Sequence, residues 1–249
     1  MYISLLEEFL LLTLEDEGGQ FDTVPEIFLT CGVAGAILMD LSLRGRIDSD
    51  LTSVWVVDST PTGDAVLDRV LSHVAAEPNR LSAAAWLRKL SLTAPDDRQV
   101  AIGRLCERGI LHQNEDGFMW VMKARRYPVL QSGELVEVKN RLLNLLITTD
   151  IPTPHDSALM SLAASCRVFQ RLLTASALKE AQPRIDQVAR FDLIGGRITV
   201  EARQFTNELK QTERRAILAG MAGNIVEWYD FSIYGYFSLV LGSLFFSVP

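Results

Sequence analysis

Six cations lie close together in the middle of the chain: Arg98, Arg104, Arg108, Lys123, Arg125 and Arg126. Between them runs Phe118-Met119-Trp120-Val121-Met122. Guanidinium forks grip phosphate oxygens bidentately, and a lysine ammonium meets them as a point charge. Aromatic and thioether side chains beside such cations can dip into the interfacial layer of a membrane. The chemistry these residues suit is contact with anionic lipid headgroups. The competing reading is a solvated helix face beside a strand packed on the core. Side chains alternate along a strand, so residues 118–122 cannot all face inward. Phe118, Met119 and Trp120 are therefore candidates for membrane contact or for the contact face of a homo-oligomer.

Covalent and metal chemistry find little footing. There is no GxSxG, no Gly-rich phosphate loop and no HExxH. His73, His112 and His155 are scattered without HxxxH spacing, and no CxxC occurs, so neither a metal nor a cofactor is expected. Cys31, Cys106 and Cys166 are odd in number, far apart and set in apolar helical stretches, which reads as reduced thiols in a cytosolic body. Cys166 has no His nearby in sequence to activate it, so core packing suits it better than nucleophilic attack. Glu7-Glu8, beside Asp16-Glu17, reads as a solvated face rather than a catalytic pair. The expectation is a protein that is not an enzyme. A net charge of −7 argues against binding nucleic acid, or an anionic membrane, over the whole surface. Only a local basic patch is left for such a role.

These residues need a scaffold, and the stretch IFLTCGVAGAILMDLSLRGRI from Ile27 to Ile47 supplies its centre. From Ile27 to Leu43 it holds one acid, Asp40, and is crowded with Cys31, Gly32, Ala34, Gly35 and Ala36. A helix apolar nearly all round belongs in the middle of a protein, and small side chains let its neighbours come close. At about 17 residues it is short for a membrane span. Before it, Ser4–Leu14 predicts a buried helix with Ser4 as N-cap. After it, 46–48 and 53–57 predict a hairpin, and 63–77 an amphipathic helix.

Ser82 caps a helix through Leu90, and Asp96 or Asp97 caps the next, Arg98–Arg108, which Gly109 ends. Residues 110–123 read as a β-hairpin turning at HQNEDG. Helices follow at 133–146, 156–166, 168–178 and 179–191, the last interrupted by Pro183. The fold class expected is mainly α: a single helical bundle around a buried central helix with small β-hairpins. It is followed by a C-terminal hydrophobic, transmembrane-like helix.

Composition changes after Lys210. Residues 206–215 form a polar link, and 216–248 are almost wholly apolar, long enough for a bilayer's roughly 20-residue span. Arg214 and Arg215 would keep the N-terminal side cytoplasmic. A buried terminal helix is the other reading. Asn224, Glu227 and Asp230 interrupt the run, and intramembrane carboxylates are costly and usually functional.

Taken together, LLEEFLLLTLEDEGG, the small-residue helix ending LSLRGRI, STPTGDAVLD, and LCERGIL before a hairpin resemble the Golgi phosphoprotein 3 family, in its bacterial form, over about residues 4–190. The resemblance implies one helical domain, 1–205, with a surface hairpin. It also implies binding to phosphatidylinositol 4-phosphate on membranes and an adaptor role for membrane enzymes. The family's headgroup pocket falls here on Pro25, Ala34, Pro95 and Arg98, and only Arg98 keeps the family's residue type. General anionic-lipid affinity at the cytoplasmic face is then expected, with little phosphoinositide selectivity. Past about Phe191 the likeness fades. Residues 212–249, with Gly223-Asn224 and EWYDF, resemble the first transmembrane segment of a major facilitator superfamily metabolite:proton symporter. The alternative function is accordingly a soluble interaction or oligomerisation module fused to, or regulating, such a transporter.

Overall fold

A computed structural model of the chain describes residues 3–14, 24–50, 52–112, 132–148 and 150–189, and isolated positions from 194 to 208. The chain divides into two compact units, Met1–Arg203 and Gln204–Pro249. The first unit is mainly helical, as expected.

Helix α1 (Leu5–Thr13) opens on a capping box: Ser4 Oγ accepts the Glu7 N–H at 3.2 Å, and Glu7 Oε2 accepts the Ser4 N–H at 2.8 Å. All nine of its residues are buried. Helix α2 (Glu26–Leu43) is the centre, packed against α1 and against four further helices. Its small residues do what their size permits. A Cβ on Gly32 would fall 2.4 Å from Phe9 Cζ and 2.8 Å from Cys166 Sγ, and one on Gly35 would fall 2.3 Å from Ile198 Cδ1. By length and composition α2 is the one helix among the described residues that could cross a membrane. Most of its apolar side chains are buried within the protein instead.

Gly45, at φ 65°, turns the chain out of α2 in the left-handed conformation that suits glycine. Strands β1 (Ile47–Ser49) and β2 (Val54–Val56) then pair antiparallel, Ile47 opposite Val56. Helix α3 (Ala65–Ala76) starts on Asp64, whose Oδ1 accepts the Val66 and Leu67 N–H groups, and α4 (Ala83–Ser91) on Ser82, whose Oγ accepts that of Ala85. Helix α5 runs Ala94–Glu107 and ends at Gly109, φ 71°. It starts earlier than the sequence pattern predicts. Pro95, in the first turn, already has the φ a helix needs. Asp96 and Asp97 thus lie inside the first turn, and Asp97 is buried against Arg69 and Thr93.

Helices α6 (Ser132–Ile147), α7 (Pro154–Ser165), α8 (Phe169–Leu172) and α9 (Ala175–Ala189) complete the bundle. The neighbours of α2 include α1, α3, α4, α5, α7 and strand β1. The single helix expected over 168–178 is broken at Leu173, which is extended, and Thr174 Oγ caps a new one by accepting the Ala177 N–H. Pro183 lies inside α9 without interrupting it. Buried Ile185 and Val188 hold that helix down, and Arg184, on the same side, donates to the backbone carbonyls of Leu145 and Asp150. That tertiary packing outweighs the hydrogen bond the proline removes. The hairpin expected over 110–123 lies outside the described residues beyond His112, and so does the C-terminal hydrophobic helix of 216–248.

Candidate functional site

Helix α5 and its C-cap residue Arg108 carry three of the six clustered cations, and the structure divides them. At about 100° per residue, Arg104 and the C-cap residue Arg108 share one edge of α5, whereas Arg98 lies in line with its buried stripe. Ala94, Ala101, Ile102 and Leu105 form that stripe, and the Arg98 side chain is 18% exposed. Each guanidinium meets a carboxylate from another element. Arg98 Nη1 donates to Glu26 Oε2 at 3.0 Å, where Glu26 opens α2. Arg104 donates to both oxygens of Asp64, the cap of α3, with Nη2 to Oδ1 at 3.0 Å. Arg108 Nη1 donates to Glu7 Oε2 at 2.9 Å.

Solvent exposure of the acids separates these pairs by what they can do. Glu7 is 1% exposed, Asp64 16% and Glu26 63%. Removing a guanidinium from a buried carboxylate costs about 3–5 kcal/mol, because the charge left behind has no water. Arg108 is therefore committed to its partner. Burial acts to raise the Asp64 carboxyl, yet the Arg104 guanidinium and the α3 N–H groups hold it below its ordinary value. In the Arg98–Glu26 pair the exposed member is the acid, 63% against 18% for Arg98, so water competes mainly for the Glu26 carboxylate. Of the three acids, Glu26 is the one displaced from its guanidinium at least cost.

Of the other positions singled out for the headgroup pocket, Pro25 caps α2 immediately before Glu26 and Pro95 lies exposed in the first turn of α5. Both are on the elements that carry the Arg98–Glu26 pair. Ala34 also lies on α2, but it is buried in the core. Lys123, Arg125 and Arg126, the hairpin residues Phe118, Met119 and Trp120, and Asn224, Glu227 and Asp230 all lie outside the described residues.

A second charge cluster is invisible in the sequence pattern. Glu7 and Glu8 are buried, not solvated. Glu8 Oε2 accepts from Arg141 Nη2 at 2.7 Å and from His155 Nε2 at 2.8 Å. Arg141 Nε also lies 2.7 Å from Asp156 Oδ1, and Asp156 Oδ2 accepts from Thr153 Oγ1 at 2.7 Å. One signal for the burial exists: a helix of leucines on every side leaves no solvated face on which to put Glu7 and Glu8. Arg171 is a further functional cation of the scaffold, donating to the carbonyls of Leu12, Thr13 and Leu14 at the end of α1.

All three cysteines are free thiols. Burial, with the nearby Glu201 carboxylate adding to it, pushes Cys31 up to about 12. Burial pushes Cys166 up as well, and its Sγ–H donates to the Phe28 carbonyl at 3.2 Å. Thiols held this firmly protonated are poor nucleophiles.

The model of the Golgi phosphoprotein 3 (GPP34) family matches residues 5–217. The match extends past Phe191, beyond the reach of the likeness read from the sequence motifs. No support emerges for the symporter likeness of residues 212–249. Among curated proteins, vacuolar protein sorting-associated protein 74 of Eremothecium gossypii is 27% identical over 169 residues, 60% of this chain and 50% of that protein. The chain thus spans about half the length of the curated relative it matches. With its family match covering most of the helical unit, this chain belongs to the Golgi phosphoprotein 3 family.

Proposed function

We propose that this chain is a non-enzymatic, membrane-peripheral adaptor domain that meets anionic lipid headgroups, at the cytoplasmic face of a membrane, through Arg98. Family membership supports an association with membranes, and the relative's name attaches that protein to vacuolar sorting. The observation that carries the reading is the exposure of Glu26, the acid paired with Arg98. A lipid phosphate can take the place of that carboxylate at little cost, whereas Arg104 and Arg108 are bound to less exposed acids. One exchangeable guanidinium gives general anionic-lipid affinity and little selectivity for phosphatidylinositol 4-phosphate.

Flotation of the full chain with phosphatidylcholine vesicles, with and without phosphatidylglycerol or phosphatidylinositol 4-phosphate, tests this. Arg98→Ala should lower the salt-sensitive bound fraction, and Glu26→Gln, which removes the competing charge, should raise it. No salt-sensitive binding to either anionic vesicle, or binding indifferent to both substitutions, overturns the reading.

A second reading, a self-associating interaction module, draws on Ile147 and Ile151, 81% and 95% exposed at the turn between α6 and α7. Light scattering on the full chain and on Ile147→Ser with Ile151→Ser separates the two. A dimer that the double substitution dissociates favours this second reading.

A further inference from the structure

Ile194, Ile198 and Glu201, near the end of the first unit, are helical, and their spacing puts them on one face. All three are buried, whereas Arg197, Val200 and Arg203 are exposed. The buried face lies on α2. A Cβ on Gly35 would fall 2.3 Å from Ile198 Cδ1, with Leu162 Cδ2 of α7 at 3.5 Å from the same point. Three residues after Ile198, the Glu201 carboxylate lies near Cys31, which is four residues before Gly35 on the same face of α2. The stretch therefore runs antiparallel to α2 over a floor of small residues. Arg88 of α4 ties it down: its Nη2 donates to Glu201 Oε2 at 2.9 Å. The Glu201 side chain is 5% exposed and that of Arg88 47%.

Two opposed effects set whether this stretch stays in place. Burying two isoleucines draws it onto α2, and burying a carboxylate without its cation would drive it off with comparable strength. Arg88 decides between them. The first unit ends at Arg203, so no later element of that unit packs over the stretch and has to move before it can leave. Elements at a chain end open ahead of the core. We propose that the stretch carrying Ile194, Ile198 and Glu201 is a releasable seal on α2, clasped by Arg88. Its release opens an apolar groove floored by Cys31 and Gly35 and bordered by Leu162.

Cys31 reports the state of the seal. Its thiol is fully buried, and it reacts only in molecules where the stretch has lifted. Cys166 is the internal reference, because its Sγ faces Gly32 and donates to the Phe28 carbonyl, contacts in which the stretch has no part.

Alkylation of the full chain with iodoacetamide at neutral pH, read cysteine by cysteine by peptide mass spectrometry, tests the proposal. In the wild type Cys31 should be labelled faster than Cys166. Arg88→Ala should speed labelling of Cys31 by roughly tenfold or more and leave Cys166 unchanged. Adding Glu201→Gln, which removes the stranded charge, should bring Cys31 back toward the wild-type rate. The proposal is overturned if Arg88→Ala leaves Cys31 unchanged, speeds both cysteines equally, or is not rescued by Glu201→Gln. Equal labelling of Cys31 and Cys166 in the wild type overturns it too, and that comparison stands even where Arg88→Ala does not fold.

Discussion

Arg108 reaches the buried Glu7 carboxylate at 2.9 Å from a helix 101 residues further along the chain, and one oxygen of that carboxylate also closes the cap of α1. Cap and ion pair are therefore one structure. Arg108→Met should destabilise the fold by about 3–5 kcal/mol, because Glu7 would be left charged and buried. Adding Glu7→Gln removes the stranded charge and keeps a residue able to complete the capping box. The double variant should recover part of the loss. Urea midpoints of the two variants check this, and a double variant as unstable as Arg108→Met alone would contradict it.

The two glycines facing inward on α2 should respond unequally to alanine. At Gly32 the new methyl meets the rigid Phe9 ring and the Cys166 sulfur. That overpacking should cost about 1–3 kcal/mol, more than the roughly 1 kcal/mol alanine adds to helix propensity. At Gly35 it meets the terminal methyl of Ile198, the far end of an aliphatic side chain rather than a rigid ring. Gly35→Ala should stay within about 1 kcal/mol of the wild type. Thermal unfolding of the two single variants gives the comparison.

What the sequence makes legible is local or periodic. The leucines of α1, the apolar run of α2, Ser4 and Ser82 as caps, and Gly109 as a stop each depend on a few neighbouring residues. Charge partnerships are not legible, because their members come from separate elements. Glu26 and Arg98 are 72 residues apart, and Asp64 and Arg104 are 40 apart. Local cues also fail where tertiary packing overrides them: Pro183 sits in an unbroken α9, and Asp97 is a buried partner of Arg69 rather than the expected cap. At the candidate site the sequence marks Arg98 but gives no means of ranking it against Arg104 and Arg108. Only the exposure of their partners does that.

Arg171 closes the C-terminal end of α1, where a helix leaves carbonyls without intrahelical donors. Its Nη1 lies 3.1 Å from the Thr13 carbonyl oxygen and its Nη2 3.0 Å from that of Leu14. Arg171→Ala should cost about 1.5–3 kcal/mol, the worth of hydrogen bonds to a charged donor. Arg171→Lys should cost less, since an ammonium still answers the negative helix end but cannot fork across several carbonyls. Denaturant midpoints for the pair order the two effects; equal losses would show that the fork geometry contributes nothing.

Asp64 has two roles that one substitution can separate. Its side chain caps α3, and it holds the Arg104 guanidinium. Asparagine caps a helix about as well as aspartate, so Asp64→Asn keeps the first role and removes the charge from the second. At neutral pH the variant should lose about 1–3 kcal/mol, the difference between a charged and a neutral partner for the guanidinium. The pH profile gives a sharper check. Burial opposes ionisation of Asp64, but Arg104 and the α3 N–H groups outweigh it and depress the carboxyl below 3.8. A carboxylate depressed by folding stabilises above its unfolded pKa, and that contribution is lost as pH falls through the folded value. The wild type should therefore lose stability over the acid range below 3.8 more steeply than Asp64→Asn. Urea midpoints measured from neutral pH down through that range should bring the two curves together at the acid end. Curves that stay parallel would mean the Arg104 pair adds no charge-dependent stability.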